Sequence, residues 1–223
     1  MDVNIAGSST ANASDYTSGG STITIPAGDY TTVPGNVSIG LTINGDTTVE
    51  ADDTIDLTLS GASGVSIGDA DGASGVESTH TYTITNDDQL TTELTTTTAS
   101  DSEGTGGNIP QILVSGTTDV ATSVTVDDQG TGSAVSGSDY SLTDPVNVTV
   151  PAGVYDGTTG TAVSVPLTIT NDQLIESSET IDFTLSAPAS DIVLADVDAA
   201  DGVESAHTYT ITDNDQLYVE LTQ

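Results

Sequence analysis

Along most of the chain apolar residues return at every second position. Ile23 and Ile25 do so, as do Val37, Ile39, Leu41 and Ile43, then Val146, Val148 and Val150, then Ile181, Phe183 and Leu185. Thr, Ser and Asp fill the places between them. A period of two puts all the apolar side chains of a segment on one face, which is the pattern of a half-buried β-strand. Gly, Asn, Asp and Pro break these runs at short intervals, where turns need their backbone freedom or their side-chain hydrogen bonds. No segment holds a helical period, so the pattern predicts an all-β protein.

The chain also repeats itself. "GVESTHTYTITNDDQL" at Gly75–Leu90 returns as "GVESAHTYTITDNDQL" at Gly202–Leu217, a shift of 127. "DTIDLTL" at Asp53–Leu59 is answered by "ETIDFTL" at Glu179–Leu185, and "SDY" at Ser14–Tyr16 by "SDY" at Ser138–Tyr140. A unit of this length is a whole domain rather than a solenoid turn. About seven strands, A to G, fit into it, which predicts tandem immunoglobulin-like β-sandwiches. Residues 90–216 carry the full set. Residues 1–89 begin at strand C, with Val3–Ile5 matching Val124–Val126, and lack strands A and B. Residues 217–223, "LYVELTQ", reopen the segment that begins "LTTELTT" at Leu90. They are the start of a further repeat or a donor strand. Met1 reads as a start placed inside a longer protein.

Charge narrows the partners. The 223 residues hold no Lys or Arg against 34 Asp plus Glu, a formal net charge of −34. Such a surface repels phosphate backbones and anionic lipid, which argues against nucleic acid, and it attracts multivalent cations. Nothing approaches the ~20 apolar residues of a membrane helix, so no membrane insertion is expected. Without Cys there is neither disulfide nor thiol chemistry. The 35% of apolar residues, placed with period two, argue for folding despite the acidity.

Antiparallel connectivity gathers the acids. In a seven-strand sandwich the AB, CD and EF loops and the end of strand G share one pole. In residues 90–216 that pole receives Glu103, Asp139, the stretch "NDQLIESSE" at Asn171–Glu179, and Asp213, Asn214 and Asp215. Clustered carboxylates with no Lys or Arg among them do not all ionise cheaply. A hard divalent ion relieves this, and Ca²⁺ takes six to eight oxygens from flexible carboxylates and carbonyls. The competing reading is that these acids are turn formers and solubility charge. Asp-rich FG loops, at Asp69–Gly72 and Asp196–Gly202, lie at the opposite pole and read as ordinary turns, the alternative being that Asp198 or Asp201 meets Asp87 and Asp88 across the joint between repeats.

The ordered set "GSDY…VPAG…LTITNDQLIESSETIDFTL…YTITDND" resembles a Calx-beta domain, a module of sodium/calcium exchanger regulatory loops and of very large bacterial surface proteins. The resemblance covers all of residues 90–216 and strands C to G of residues 1–89. It implies calcium ligands at Glu103, Asp139, Asn171, Asp172, the Leu174 carbonyl, Glu176, Glu179, Asp213, Asn214 and Asp215. In the first repeat it implies Asp15, Asp46, Glu50, Asp53, Asn86, Asp87 and Asp88. Asn171 and Asn214 stand where strong binders carry Asp, Gly45 offers no side chain, and the first repeat has no counterpart of Glu103. Fewer charged ligands imply weak sites, of the order of 10⁻⁴–10⁻³ M.

No nucleophile elbow or triad ordering stands out, so an enzyme is not expected. His80 and His207 share parity with apolar neighbours on strand G and are expected to point inward near a rim. Thr79, Thr81, Thr83 and Thr85 are expected to face outward. The expected function is that of a structural spacer in a calcium-stabilised extracellular adhesin or surface filament of a bacterium, with neighbouring repeats as partners. The alternatives are a glycan- or ice-binding sandwich, or a filament subunit in which Leu217–Thr222 of one copy fills the vacant A position of another.

Overall fold

A computed structural model describes residues 1–30, 37–61, 64–69, 75–200 and 202–221. Among them the first part of the chain supplies strands β1 (Asp2–Ile5), β2 (Tyr16–Ser18), β3 (Leu41–Ile43), β4 (Thr48–Val49), β5 (Asp53–Ser60) and β6 (Thr79–Ile84). Then follow β7 (Leu90–Leu94), β8 (Thr98–Ser102), β9 (Gln111–Thr118), β10 (Thr122–Asp128), β11 (Tyr140–Ser141) and β12 (Val146–Val150). The last are β13 (Gly153–Asp156), β14 (Val163–Ser164), β15 (Thr168–Ile169), β16 (Glu179–Ser186), β17 (Ile192–Leu194) and β18 (Ala206–Thr212). No helix is present among these residues, as the period-two pattern requires. The chain divides into two compact units. One comprises Met1–Asp46 and Ala51–Asn86, the other Thr47–Glu50 and Asp87–Gln223.

The second unit is a two-sheet sandwich. One sheet runs β12-β10-β16-β18-β8 and the other β13-β9-β7-β17, with β14 and β4 also paired to β9. The alternation seen in the sequence sets what lies between the sheets. Val124 and Val126, Val148 and Val150, Ile181, Phe183 and Leu185, and Tyr209 and Ile211 face inward from one sheet. Leu90, Leu94, Ile112, Val114 and Ile192 meet them from the other. Strand A is split between the sheets. Leu90–Leu94 runs antiparallel to β9, whereas Thr98–Ser102 crosses over and pairs in parallel with β18.

The first unit holds the sheet β1-β5-β6 and the pair β2-β3. Its register corrects one detail of the sequence alignment. Val3 pairs with Leu59 as Val126 pairs with Leu185, so Val3–Ile5 overlays Val126–Asp128 rather than Val124–Val126. No counterparts of β7, β8 and β9 occur among its described residues, and its core is correspondingly small. Val3, Ala11, Ile23, Ile55 and Leu57 are buried. Beside them an open cleft of about 530 Å³ is lined by Val3, Ile39, Leu57, Leu59 and His80.

The histidines separate on this point. His207 is buried, donates from Nδ1 to the Thr96 carbonyl across 2.7 Å, and lies between the rings of Phe183 and Tyr209. His80 lies opposite Leu57 in the ladder but is exposed, because no second sheet among the described residues covers it. The tail is also not the expected strand. Leu217–Leu221 pairs with nothing described, and Leu221 is 99% exposed. Thr222 and Gln223 lie outside the described residues, as do Asp201 and most of the first FG loop.

Candidate metal centre

The carboxylates of the second unit converge as antiparallel connectivity requires. β8 ends at Ser102, and the Glu103 amide donates to the Thr212 carbonyl at 3.1 Å, which fixes the AB turn beside the end of β18. Gly104 follows at φ +68°, and a Cβ there would lie 2.8 Å from the Cβ of Asn171. Only glycine accepts both that backbone and that approach, so the turn lies directly on the EF loop. Asn214 holds the third segment. Its Nδ2 donates to the Glu103 carbonyl at 3.0 Å and to Asn171 Oδ1 at 3.1 Å. The two asparagines that dilute the negative charge therefore act as clamps between the segments that carry it.

Two groups of carboxylates result. Oxygens of Glu103, Asp213 and Asp215 lie within 4.8 Å of one another, and so do those of Asp139, Glu176 and Glu179. Asp139 is placed from the CD side by its own backbone, whose carbonyl accepts from the Thr170 amide at 2.8 Å. Asp172 Oδ1 accepts the Leu174 amide at 2.7 Å, closing the EF turn. The structure thus brings Glu103, Asp139, Asn171, Asp172, Glu176, Glu179, Asp213, Asn214 and Asp215 to one pole, with Leu174 on the same loop.

Electrostatics marks the pole as strained by its own charge. Burial pushes Glu179 up to about 7, helped by a hydrogen bond with Asp139 and by the fields of Asp139, Glu176 and Glu103. Glu103 is raised first by burial and then by Asp172, Asp213 and Asp215, against an opposing backbone hydrogen bond from Asp172. Glu176 is raised by desolvation and by Asp172, Asp139, Asp213 and Asp215. Each group feels the other, so the two form one electrostatic site. Two oxygens there, Glu103 Oε2 and Asp215 Oδ2, are buried without a hydrogen-bond partner. A buried carboxylate oxygen left in that state costs stability. An all-oxygen set with orphaned, mutually repelling carboxylates fits a hard cation such as Ca²⁺.

The first unit is poorer. The carboxylates of Asp15 and Asp53 come within 4.8 Å of each other. Asp15 is buried and accepts the Asn12 amide at 2.6 Å. Asp46 and Asn86 belong to this unit, and the Asn86 amide donates to Asp52 at 3.1 Å. Glu50, Asp87 and Asp88 instead group with the second unit.

Other acids have structural duties. Asp101 accepts from the Tyr209 hydroxyl at 2.7 Å, Asp182 from Thr208 at 2.8 Å, and Asp128 from the Tyr140 hydroxyl. Sequence reasoning missed Glu93. It is fully buried, and its carboxylate accepts the amides of Val197, Asp198 and Glu204 at 2.7, 2.9 and 3.3 Å. It pins the FG crossover to β7. Its return as Glu220 in the tail was the available signal.

A scan against protein-family models finds no match, nor does a search of curated proteins. Among solved structures, the crystal structure of an apo-form Calx CBD1 domain is similar, at 19% identity and a TM-score of 0.43. The alignment covers 57% of this chain and all of that one.

Proposed function

We propose that the chain is a stretch of tandem Calx-beta-like repeats that serves as a calcium-stabilised structural spacer. The observation that carries this reading is the pole of the second unit, where buried oxygens of Glu103 and Asp215 lack any hydrogen-bond partner. Glu103, Asp139, Asp172, Glu176, Glu179, Asp213 and Asp215 would hold the ion, with the Leu174 carbonyl, Asn171 and Asn214 as neutral supports. When bound, Ca²⁺ supplies positive charge to a site that has none. The protein's own part is to deliver carboxylates from four separate segments, so that filling the site ties the AB, CD and EF loops to the end of β18. Asp15 and Asp53 of the first unit form a smaller, weaker version. The chain's two repeats, its lack of any Lys or Arg and the ligand pattern together support placement in a large extracellular surface protein or adhesin of a bacterium, where millimolar Ca²⁺ suffices for weak sites.

The test is calcium titration by calorimetry on the chain and on Glu103→Gln. Binding by the chain, weakened at least several-fold by the substitution, supports the reading. No heat and no binding at millimolar Ca²⁺ overturns it.

Self-association through the tail is the second reading, and the open cleft of the first unit favours it. Leu217, Val219 and Leu221, which alternate in the sequence, are 76%, 83% and 99% exposed. Burying such a side chain stabilises by about 1.5–3 kcal/mol, and an uncovered sheet edge accepts an added strand. Light scattering on the chain with and without residues 217–223 tests this. A monomer at high concentration with Ca²⁺ present contradicts it.

A further inference from the structure

The EF loops of the two sequence repeats align without a gap at a shift of 126. "LTINGDTTVEADDTIDLTL" from Leu41 faces "LTITNDQLIESSETIDFTL" from Leu167, so Thr48 and Val49 correspond to Leu174 and Ile175. Both loops bend at the equivalent residue, Thr47 and Gln173, and a strand follows only the first. Their surroundings are opposite. Thr48–Val49 is β4, which folds as part of the second unit. It pairs in parallel with Thr117–Thr118 at the end of β9, and the Asp119 amide donates to the Val49 carbonyl at 2.9 Å. Val49 is fully buried in the core with Leu90, Ile112 and Val114. Leu174 and Ile175 have no ladder partner and stand 61% and 56% exposed. Two adjacent large apolar side chains in so acidic a loop are out of place in water, and the loop needs neither for its carboxylates.

The partner they lack is visible in the sequence. Leu217–Thr222 repeats Leu90–Thr95 at Leu, Glu, Leu and Thr. That stretch supplies β7 and Glu93 in the unit where β4 docks.

We propose that Leu174–Ile175 forms a short parallel strand on the β9-type edge of a repeat that follows Gln216, as Thr48–Val49 does on β9. Ile175 then fills the place that Val49 fills, and Leu174 takes the ladder position of Thr48. The EF loop of one sequence repeat thus completes the sheet of the next folded unit. Because the same loop carries Asp172, Glu176 and Glu179, the docked strand lies within a few residues of the carboxylate pole. The inference rests on the spacer reading only in requiring a tandem array.

The test compares the chain with an extended one in which a second copy of residues 90–223 follows Gln216. Amide exchange at Ile175 is measured in both, with Ca²⁺ and with chelator, because the Leu174 amide is already bonded to Asp172. Slowing by about tenfold in the extended chain, the scale of one net hydrogen bond, is expected in both conditions. Equal exchange in the two chains overturns the proposal. Ile175→Asn sharpens the result. It should lower the melting temperature of the added repeat while leaving the present chain unchanged, whereas equal loss in both chains would assign Ile175 to its own unit and overturn the docking. A calcium response that fails while the exchange difference persists would remove the metal reading alone.

Discussion

Strands β6 and β18 share the sequence HTYTI, yet one is a wet edge and the other a core strand. Tyr209 is fully buried and His207 nearly so, while Tyr82 is 42% exposed and His80 faces an open cleft. Their hairpin partners are as similar as their sequences. Ile55 and Leu57 lie opposite Tyr82 and His80, and Ile181 and Phe183 lie opposite Tyr209 and His207. The difference is the stretch 90–118. In the second unit β8 covers the flank of β18, and β7 with β9 builds the facing sheet. Burial here is a property of what covers a strand, not of the strand's own residues.

The sharpest way to break this comparison is to truncate both tyrosines. Tyr209→Ala should destabilise the second unit by about 3–5 kcal/mol, the usual cost of emptying a large aromatic site. It also removes the Tyr209 hydroxyl bond to Asp101, whose carboxylate keeps the Asn108 amide and Nδ2 as donors. Tyr82→Ala should cost less than about 1 kcal/mol in the first unit. Denaturant unfolding followed separately for the two units reads both values, and equal costs would refute the account of β6.

Next in size is the calcium response. Glu176→Gln with Glu179→Gln should remove most of the stabilisation that Ca²⁺ gives the second unit, about 2.7 kcal/mol at a hundredfold excess over Kd. The first unit's response should stay intact, since sites that share no partner behave independently. Melting of each unit with and without Ca²⁺ checks this.

Glu93→Ala should follow at about 1–3 kcal/mol, because three backbone amides lose their only charged acceptor. Faster amide exchange confined at first to Val197, Asp198 and Glu204 would identify the loop as the part released.

A further effect is on pH. Glu179 titrates near 7 in the folded chain against an ordinary value of 4.5. Folding therefore favours its protonated form. That stability is fully present below pH 4.5 and is lost as pH rises through 7. Glu103 and Glu176 shift in the same direction. Without calcium the second unit should melt higher at pH 5 than at pH 7.5. With calcium the order should reverse, since the ion binds the deprotonated carboxylates.

Much of this was legible in the sequence because it is local or periodic. The alternation in "ETIDFTLS" fixes which side chains of β16 enter the core, and the 127-residue recurrence points to strands with no counterpart among the first unit's described residues. Antiparallel connectivity was enough to bring Glu103 to Asp213 and Asp215. What escaped depends on surroundings that a strand's own pattern does not carry. His80 has the parity of a core residue and lies exposed for want of a cover. Glu93 sits in a run, "LTTEL", that is polar in its middle, and its amide donors come from residues more than a hundred positions away. Thr48–Val49 is too short to show any period, and its docking is a matter of tertiary pairing alone.

The central claim is that charge held at the pole of the second unit is relieved by calcium. Differential scanning calorimetry of the chain at pH 7.5, in millimolar Ca²⁺ and then in chelator, tests it most directly. The account predicts a clear upward shift of the second unit's transition with calcium and a smaller one for the first unit, where Asp15 and Asp53 make the lesser cluster. Transitions that stay in place when calcium is replaced by chelator would contradict it.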